Sequence, residues 1–461
     1  MTEPRAQVET GMRALTAWAA ALRSEDIPAA VLQRTALILA DDVAAMIAAR
    51  DEPELRRLHE QMLGRAALRE ATVFRGGRAL TDRYSAAAAN GAAADWCELD
   101  GGYRKAVCHA GLYTLSALLA EAEAERLPIG ELLRAATVGY EVVARMGRAW
   151  EHPRLVLHPH ASLAAVGAAA GVAAARRFDP QVFLDAVTSA TSLIAAGPWN
   201  HAVQGALVRN VWPAAGAWLG LRSADWAQCG IGGLPGTPYD VYSDILGGTA
   251  RPERLTAGLG EEWAVADGYH KIYACCQYAH SSVEAVLGLR ADLPRADLPR
   301  AIRAITVEVS PGGLTLNNYQ PRTTLAAKFS IPHAVAAALT LGSAGAEGFS
   351  SATLGQPALE ALRAKVQLRP YAPLQPFPND RPSRVTVELE NGRRIVRECL
   401  SAQGGPDRPF AEADIFRKIR QLTEPVYPDF AGTMEDLLTS MPERMSQPWD
   451  SFLGRLLNGP A

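Results

Sequence analysis

The sequence predicts a mainly α protein: a large all-helical domain over residues 1–264, completed by 408–461, plus a smaller α+β domain over 265–407. Three observations carry this expectation. From Val31 onward the apolar residues fall three to four apart, and past residue 265 the pattern changes to the alternation of strands. Alanine supplies much of the 48% apolar content and favours close-packed helices. At 461 residues the chain exceeds one small core, and the change of texture supports two domains.

Taken in order, VLQRTALILADDVAAMIAAR places Leu32, Ala36, Leu39, Val43 and Ile47 on one stripe of a core helix from Val31. A second long helix runs from Ile129 to Arg148, with Leu132, Ala136, Tyr140 and Val143 on one face. The polar turn at His158, Pro159 and His160 leads into a helix of Ala and Gly, whose small side chains allow close backbone approach. Further helices are expected over Pro180 to Ala195 and Val208 to Leu221, before the Gly-rich loop CGIGGLPGTPYDVYSDILGG. In the second region AIRAITVEVS alternates as a strand, and VTVELENGRRIVREC reads as a hairpin turning at Asn391 and Gly392. Helices are expected between them, at Phe329 to Leu341 and Ala358 to Lys365, and again from Asp414 onward. No repeat of fixed period is present.

The bulk properties narrow the function. A net charge of −3 with scattered arginines argues against nucleic acid as a partner. The N-terminus carries acids where a secretory signal has its basic and apolar regions, and no apolar run reaches the ~18 to 20 residues of a membrane span. A cytoplasmic location follows. Six cysteines in so long a chain do not form a disulfide framework, and the adjacent Cys275 and Cys276 lack the spacer of a zinc or redox motif, so they are expected to be small buried thiols.

The densest chemistry lies between Asp95 and Gly111, DWCELDGGYRKAVCHAG, where acids, a Tyr, bases, thiols and His109 interrupt two Ala-rich helical segments. His158 stands at a second helix junction. The intrinsic pKa of an imidazole lies near the working pH, which suits proton transfer. His158 and His160 form a His-x-His pair that could bind metal, but no third ligand stands at motif spacing, and no metal site is assigned.

Several blocks, in this order, resemble the MmgE/PrpD family: Glu98 to Gly111, the His-Pro turn with its Ala/Gly helix from His158 to Gly171, and the basic block from Val208 to Gly220. YHKIYACCQYAH (Tyr269 to His280) and PRTTLAAKFSIPHAVAAAL (Pro321 to Leu339) complete the likeness, which spans most of the chain. The family includes 2-methylcitrate dehydratase, cis-aconitate decarboxylase and iminodisuccinate epimerase. The resemblance implies that the smaller α+β domain is a lid, that the protein is a homodimer, and that it acts on di- or tricarboxylates without a metal or organic cofactor.

The resemblance also implies a site at Asp100, His109, His158, Arg209, Lys271 and Tyr319. Lys328, in the same block as Tyr319, is a further substrate-binding candidate. In the expected chemistry a bond beside a carboxylate is weakened, and the carbanion-like charge needs fixed cations. His109 and His158 would move the proton, Arg209 and Lys271 would hold carboxylates, and Asp100 would orient an imidazole or act as an acid. The ordinary alternatives are a structural ion pair for Arg209, a helix cap for Asp100, a surface position for Lys271, and packing for Tyr319 and Lys328. His280 is expected to be structural.

The chain departs from the resemblance at three places: Asp95 stands where a His is common, Gly101 where a second acid is common, and Arg209 where a Lys is common. Arg in place of Lys keeps anion binding better than proton transfer, because guanidinium hardly titrates. The first expectation is a dehydratase of a 2-methylcitrate-like hydroxy acid. A decarboxylase or epimerase on the same scaffold, or a non-catalytic carboxylate-binding dimer, are the alternatives.

Overall fold

The computed structural model describes residues 3–152, 154–294 and 297–458. It is mainly helical with a smaller α+β part, as expected. Helix α1 (Glu3–Ala21) is followed by α2 (Ala29–Ala48), which buries the predicted stripe and, on its way into the core, Asp41 and Asp42 as well. Helix α3 (Arg83–Trp96) starts at Asp82, whose carboxylate accepts the backbone N–H groups of Tyr84 and Ser85 at 3.1 and 3.0 Å. The two-residue strand β1 (Gly102–Tyr103) lies in the loop between α3 and α4 (Ala110–Ala124), and α5 (Ile129–Arg148) follows Pro128.

The helical body is organised around α6 (Pro159–Ala175), which is buried at every position but Ser162. It packs against α4, α5, α7 (Pro180–Ser192) and α8 (Trp212–Gln228). A helix apolar all round has no face to give to water and must be central. Its neighbours approach closely because the side chains are small: a Cβ on Gly216 or Gly220 of α8 would collide with Ala164 or Ala168 of α6.

Strand β2 (Gly268–Tyr269) returns to pair antiparallel with β1, placing Gly102 opposite Tyr269. After α9 (His280–Leu289) come β3 (Ile302–Val309), α10 (Thr324–Lys328), α11 (Ile331–Leu341), α12 (Pro357–Arg363), β4 (Val366–Pro370), β5 (Ser383–Leu389) and β6 (Arg394–Cys399). The sheet order is β6–β5–β3–β4, with β3 parallel to β4 and the other pairs antiparallel. Alternate residues Val385, Val387 and Leu389 of β5 are buried, and α9 packs across β5 and β6. The last helices turn back: α13 (Glu412–Thr423) and α14 (Phe430–Thr439) pack on α2, and α15 (Trp449–Asn458) on α4.

The hairpin turns where expected, with Gly392 at φ +83° donating its N–H to the Leu389 carbonyl. Elsewhere the boundaries move. The helix expected from Val208 begins at Trp212, after a 3₁₀ turn over Leu207–Val211 that the proline at 213 cannot continue as α-helix. The helix expected from Phe329 begins at Ile331, because Ser330 caps it by accepting the His333 N–H at 3.0 Å. Strand β4 was not expected; its mostly exposed residues sit at the sheet edge and carry little alternation. Among the described residues no helix is long and apolar enough to cross a membrane, and all six cysteines are free.

Candidate active site

The loop from Cys97 to His109 is held by the ends of α3 and α4 and by the β1–β2 pairing, and Glu98, Asp100 and His109 point from it into one buried cluster. Glu98 sits at φ +54°, a left-handed backbone that costs a non-glycine residue on the order of 1–3 kcal/mol. Its carboxylate is the hub that this conformation serves: Oε1 pairs with Arg209 at 2.6 Å and Oε2 accepts Lys271 Nζ at 3.1 Å. Lys271 also lies 3.6 Å from Asp100 Oδ1. Arg209 further bonds Asp95 and places its Nε 3.3 Å from His158 Nε2, and its guanidinium lies 4.8 Å from the centre of the Phe329 ring.

His109, at the N-terminal cap of α4, hydrogen-bonds Asp100 Oδ2 through Nδ1 at 2.6 Å. An ionised carboxylate only accepts, so Nδ1 carries the proton and Nε2 is the ring's exchangeable nitrogen. Burial alone would raise the Asp100 carboxyl, but Lys271 and His109 outweigh it and lower it to about 2. Glu98 is likewise lowered, with Arg209 and Lys271 outweighing burial. Burial opposes the charge on Lys271, yet Asp100 and Glu98 raise its ammonium well above the ordinary lysine range.

His158 has the opposite surroundings. Its Nδ1 accepts the His160 N–H at 3.2 Å, its Nε2 faces the Arg209 donor, and its ring stacks on Trp199 at 5.2 Å. Both nitrogens therefore face donors, and a neutral imidazole can accept at only one. Burial, then the charges of His160 and Arg209, lower its pKa well below 6.5. His160 is lowered for the same leading reason; it lies 2.9 Å from Asp95 and pairs with the Tyr113 hydroxyl at 2.7 Å.

The sign of these shifts predicts an acid limb. A histidine held neutral in the fold leaves the unfolded chain to bind the proton, so its contribution is complete above about pH 6.5 and falls as the pH drops below it. His158 and His160 should each cost about 1.4 kcal/mol per pH unit in that range, joined near the bottom by Glu98 and Asp100, whose contributions are lost as pH falls through their lowered values. The unfolding midpoint, followed by calorimetry from pH 8 to 4, should be level above pH 7 and decline from about 6.5; a level profile down to pH 5 contradicts the buried neutral pair.

The structure thus brings together Asp100, His109, His158, Arg209 and Lys271. It does not bring in the other two candidates. Tyr319 is 38% exposed and does not line the cavity, and Lys328 is buried with its ammonium donated to the Trp96 carbonyl at 2.7 Å, which ties α10 to the end of α3. His280 is buried and bonded to the Cys275 carbonyl at 3.1 Å. Burial pushes the Cys276 thiol up to about 12 and raises Cys275 well above the ordinary thiol range, so neither supplies a thiolate.

The departures at Asp95 and Arg209 prove to be one feature, because the two side chains are ion-paired. Gly101 has its own reason. A Cβ there would lie 2.7 Å from the Tyr269 carbonyl oxygen, and the neighbouring carboxyl is supplied instead by Asp42, which accepts the Gly101 N–H at 3.0 Å. Burial first, then Asp100 and Asp41, raise Asp42 well above the usual carboxylate range. Gly101→Ala should accordingly cost about 1–3 kcal/mol in urea unfolding.

Asp95, Glu98 and His160 place one ligand atom each within 4.8 Å of one another, near enough for a metal ion. The Arg209 guanidinium already neutralises both carboxylates from a buried position, so a metal would have to displace it.

The cluster opens on a cavity of only about 30 Å³, lined by Glu98, His109, His158, Arg209 and, from residues that sequence reasoning missed, Trp199 and Arg381. That volume holds a water molecule, not a tricarboxylate. A larger cavity of about 240 Å³ lies beyond Ala106, Val107 and Pro159. Glu98 stood in the acidic stretch and could have been singled out there; nothing around Arg381 in the sequence marks it.

Comparison with known proteins places the chain in a family. Residues 13–244 match the MmgE/PrpD N-terminal domain and 273–439 the MmgE/PrpD C-terminal domain. The chain is 26% identical over 440 residues to the cis-aconitate decarboxylase-like protein oryM of Aspergillus oryzae, covering 89% of each chain. It is 26% identical over 479 residues to a cis-aconitate decarboxylase of Aspergillus terreus, covering 96% of this chain and 95% of that one.

Proposed function

The chain belongs to the MmgE/PrpD family, and from that premise we propose that it is a cofactor-independent lyase that decarboxylates an unsaturated tricarboxylate of the cis-aconitate kind. The observation that carries the choice is the inequality of the two histidines. Only His109 has a carboxylate on one nitrogen and the cavity on the other side; His158 is hemmed by donors. A decarboxylation needs one proton delivered. The carbon–carboxylate bond breaks, carbon dioxide leaves, the electron pair spreads over the neighbouring double bond towards a second carboxylate, and the His109 imidazolium gives its Nε2 proton to carbon.

The rest of the cluster fits that step. Lys271 stabilises the developing charge by its fixed position, and its raised pKa makes it a poor proton donor. Enclosing the substrate in a small cavity away from bulk water would favour the loss of charge from a carboxylate. Dehydration of a 2-methylcitrate-like hydroxy acid, the first expectation from sequence, asks for two proton carriers and is the second reading. The cis-aconitate decarboxylases among the relatives support the same order.

Proton NMR in deuterated water, with a panel of citrate, methylcitrate, aconitate and aminodicarboxylates, tests the proposal. Decarboxylation of aconitate should give a product with one carbon fewer, deuterated where His109 delivers. An alkene arising only from hydroxy acids would establish the dehydratase instead, and deuterium exchange without skeletal change the epimerase. Binding without turnover across the panel would leave a carboxylate-binding protein. A homodimer is part of the proposal, supported by exposed Leu193, Val208, Ile231, Leu234 and Ile245 along one stretch of chain. Sedimentation should find twice the 49.2 kDa chain mass.

A further inference from the structure

Outside the catalytic cluster, the loop that carries His109 and the segment before β5 meet across a set of cations. An open recess of about 490 Å³ is lined by Arg104, Lys105, Ala106, Val107, Phe377, Asp380 and Arg381. Ala106, Val107 and Arg381 also line the 30 Å³ catalytic cavity, so the recess and the cavity lie on either side of the same short wall. Three cations and one carboxylate line the recess, which therefore favours anions.

The single carboxylate bridges two of those cations. Asp380 accepts Arg104 at 2.6 and 3.2 Å and lies 3.5 Å from Arg381 Nε. Arg104 is buried and further fixed by the Pro378 carbonyl at 3.0 Å, while Arg381 bonds Gln277 and stacks over Tyr278 at 4.8 Å. Among the described residues the Arg381 NH2 group has no hydrogen-bond partner. One guanidinium is thus pre-oriented at the boundary of the catalytic cavity with donor capacity to spare, beside a carboxylate that is 36% exposed at its side chain.

We propose that Arg381 and Arg104 are the entrance clamp for a carboxylate of the substrate remote from the one that is lost, and that Asp380 is the internal carboxylate which the substrate replaces. The exchange trades one carboxylate for another on the same two guanidiniums, so pairing is conserved as the substrate enters. It also removes one of the bonds between the His109 loop and the segment before β5, leaving the Arg104 bond to the Pro378 carbonyl. The inference rests on the lyase reading and adds a demand to it: the substrate carries a second carboxylate on the entrance side.

Steady-state kinetics on a cis-aconitate-like tricarboxylate and on its remote monoamide test this. Arg381→Gln should raise KM for the tricarboxylate about 10-fold or more with kcat within about twofold, and should erase the preference for acid over amide. Arg381→Lys should recover part of the loss, and Asp380→Asn should lower KM by removing the internal competitor. Unchanged KM and unchanged preference in Arg381→Gln, or a rise in KM in Asp380→Asn, overturns the clamp. If Arg381→Gln fails to fold, Arg381→Lys and Asp380→Asn decide by the same readings. If the wild type turns over no tricarboxylate, calorimetric binding is measured instead: binding with the same order among variants keeps the clamp while the lyase reading falls, and no binding to the wild type overturns both.

Discussion

Replacing His109 with asparagine is expected to lower kcat by roughly 10²–10⁴-fold while KM moves little, because the proposed chemistry loses its proton carrier while Arg209 and Lys271 stay. Asparagine can still donate to Asp100, so the loop keeps the bond that closes it. Rapid-quench turnover of the tricarboxylate, with circular dichroism as the check on folding, gives the result. The companion His158→Asn should cost markedly less in kcat, since that imidazole already faces donors on both nitrogens. Equal losses in the two variants would restore the symmetry between them and remove the reason for preferring one-proton chemistry.

The second large effect is on stability. Arg209→Met leaves Asp95 and Glu98 buried with one guanidinium fewer, and breaking a buried pair in this way costs about 3–5 kcal/mol. Urea unfolding of the variant should show a midpoint lowered to match, with little change in slope. The partner residue offers a sharper measurement. Asp95→His and Arg209→Lys, each destabilising alone, should be less than additive together, because the two departures from the resemblance touch one another. A double-mutant cycle with no coupling would mean that the ion pair is not what links them.

The helical body was legible because its cause is local. The stripe of α2 and the small residues of α6 follow from spacing and side-chain size. The strands β3, β5 and β6 were legible for the same reason, their alternation being a property of a few consecutive residues. Strand β4 was not, since an edge strand with exposed side chains leaves almost no pattern. The site divides similarly. His109 and His158 stood at helix junctions rich in polar residues, and the resemblance supplied Lys271 and Arg209. The bond of Asp380 to Arg104, the pairing of Asp95 with Arg209 and the steric reason for Gly101 are all contacts between distant parts of the chain, and no window of sequence contains both partners. Tyr319 belonged to a block that resembles the family, but its ring ends on the surface, which a block alone does not reveal.

The left-handed backbone at Glu98 bears on how the protein comes to be folded. Left to itself, that loop is unfavourable: it holds a strained residue and several carboxylates close together. What makes it favourable arrives late, since Lys271 lies 173 residues further along the chain and Arg209 lies 114 residues beyond Asp95. The helices can form early from neighbouring contacts, whereas the Glu98 loop gains its conformation only when the two halves of the chain meet. Activity should therefore return after the helical signal during refolding, and a chain stopped short of residue 271 should have helices without an ordered Glu98 loop.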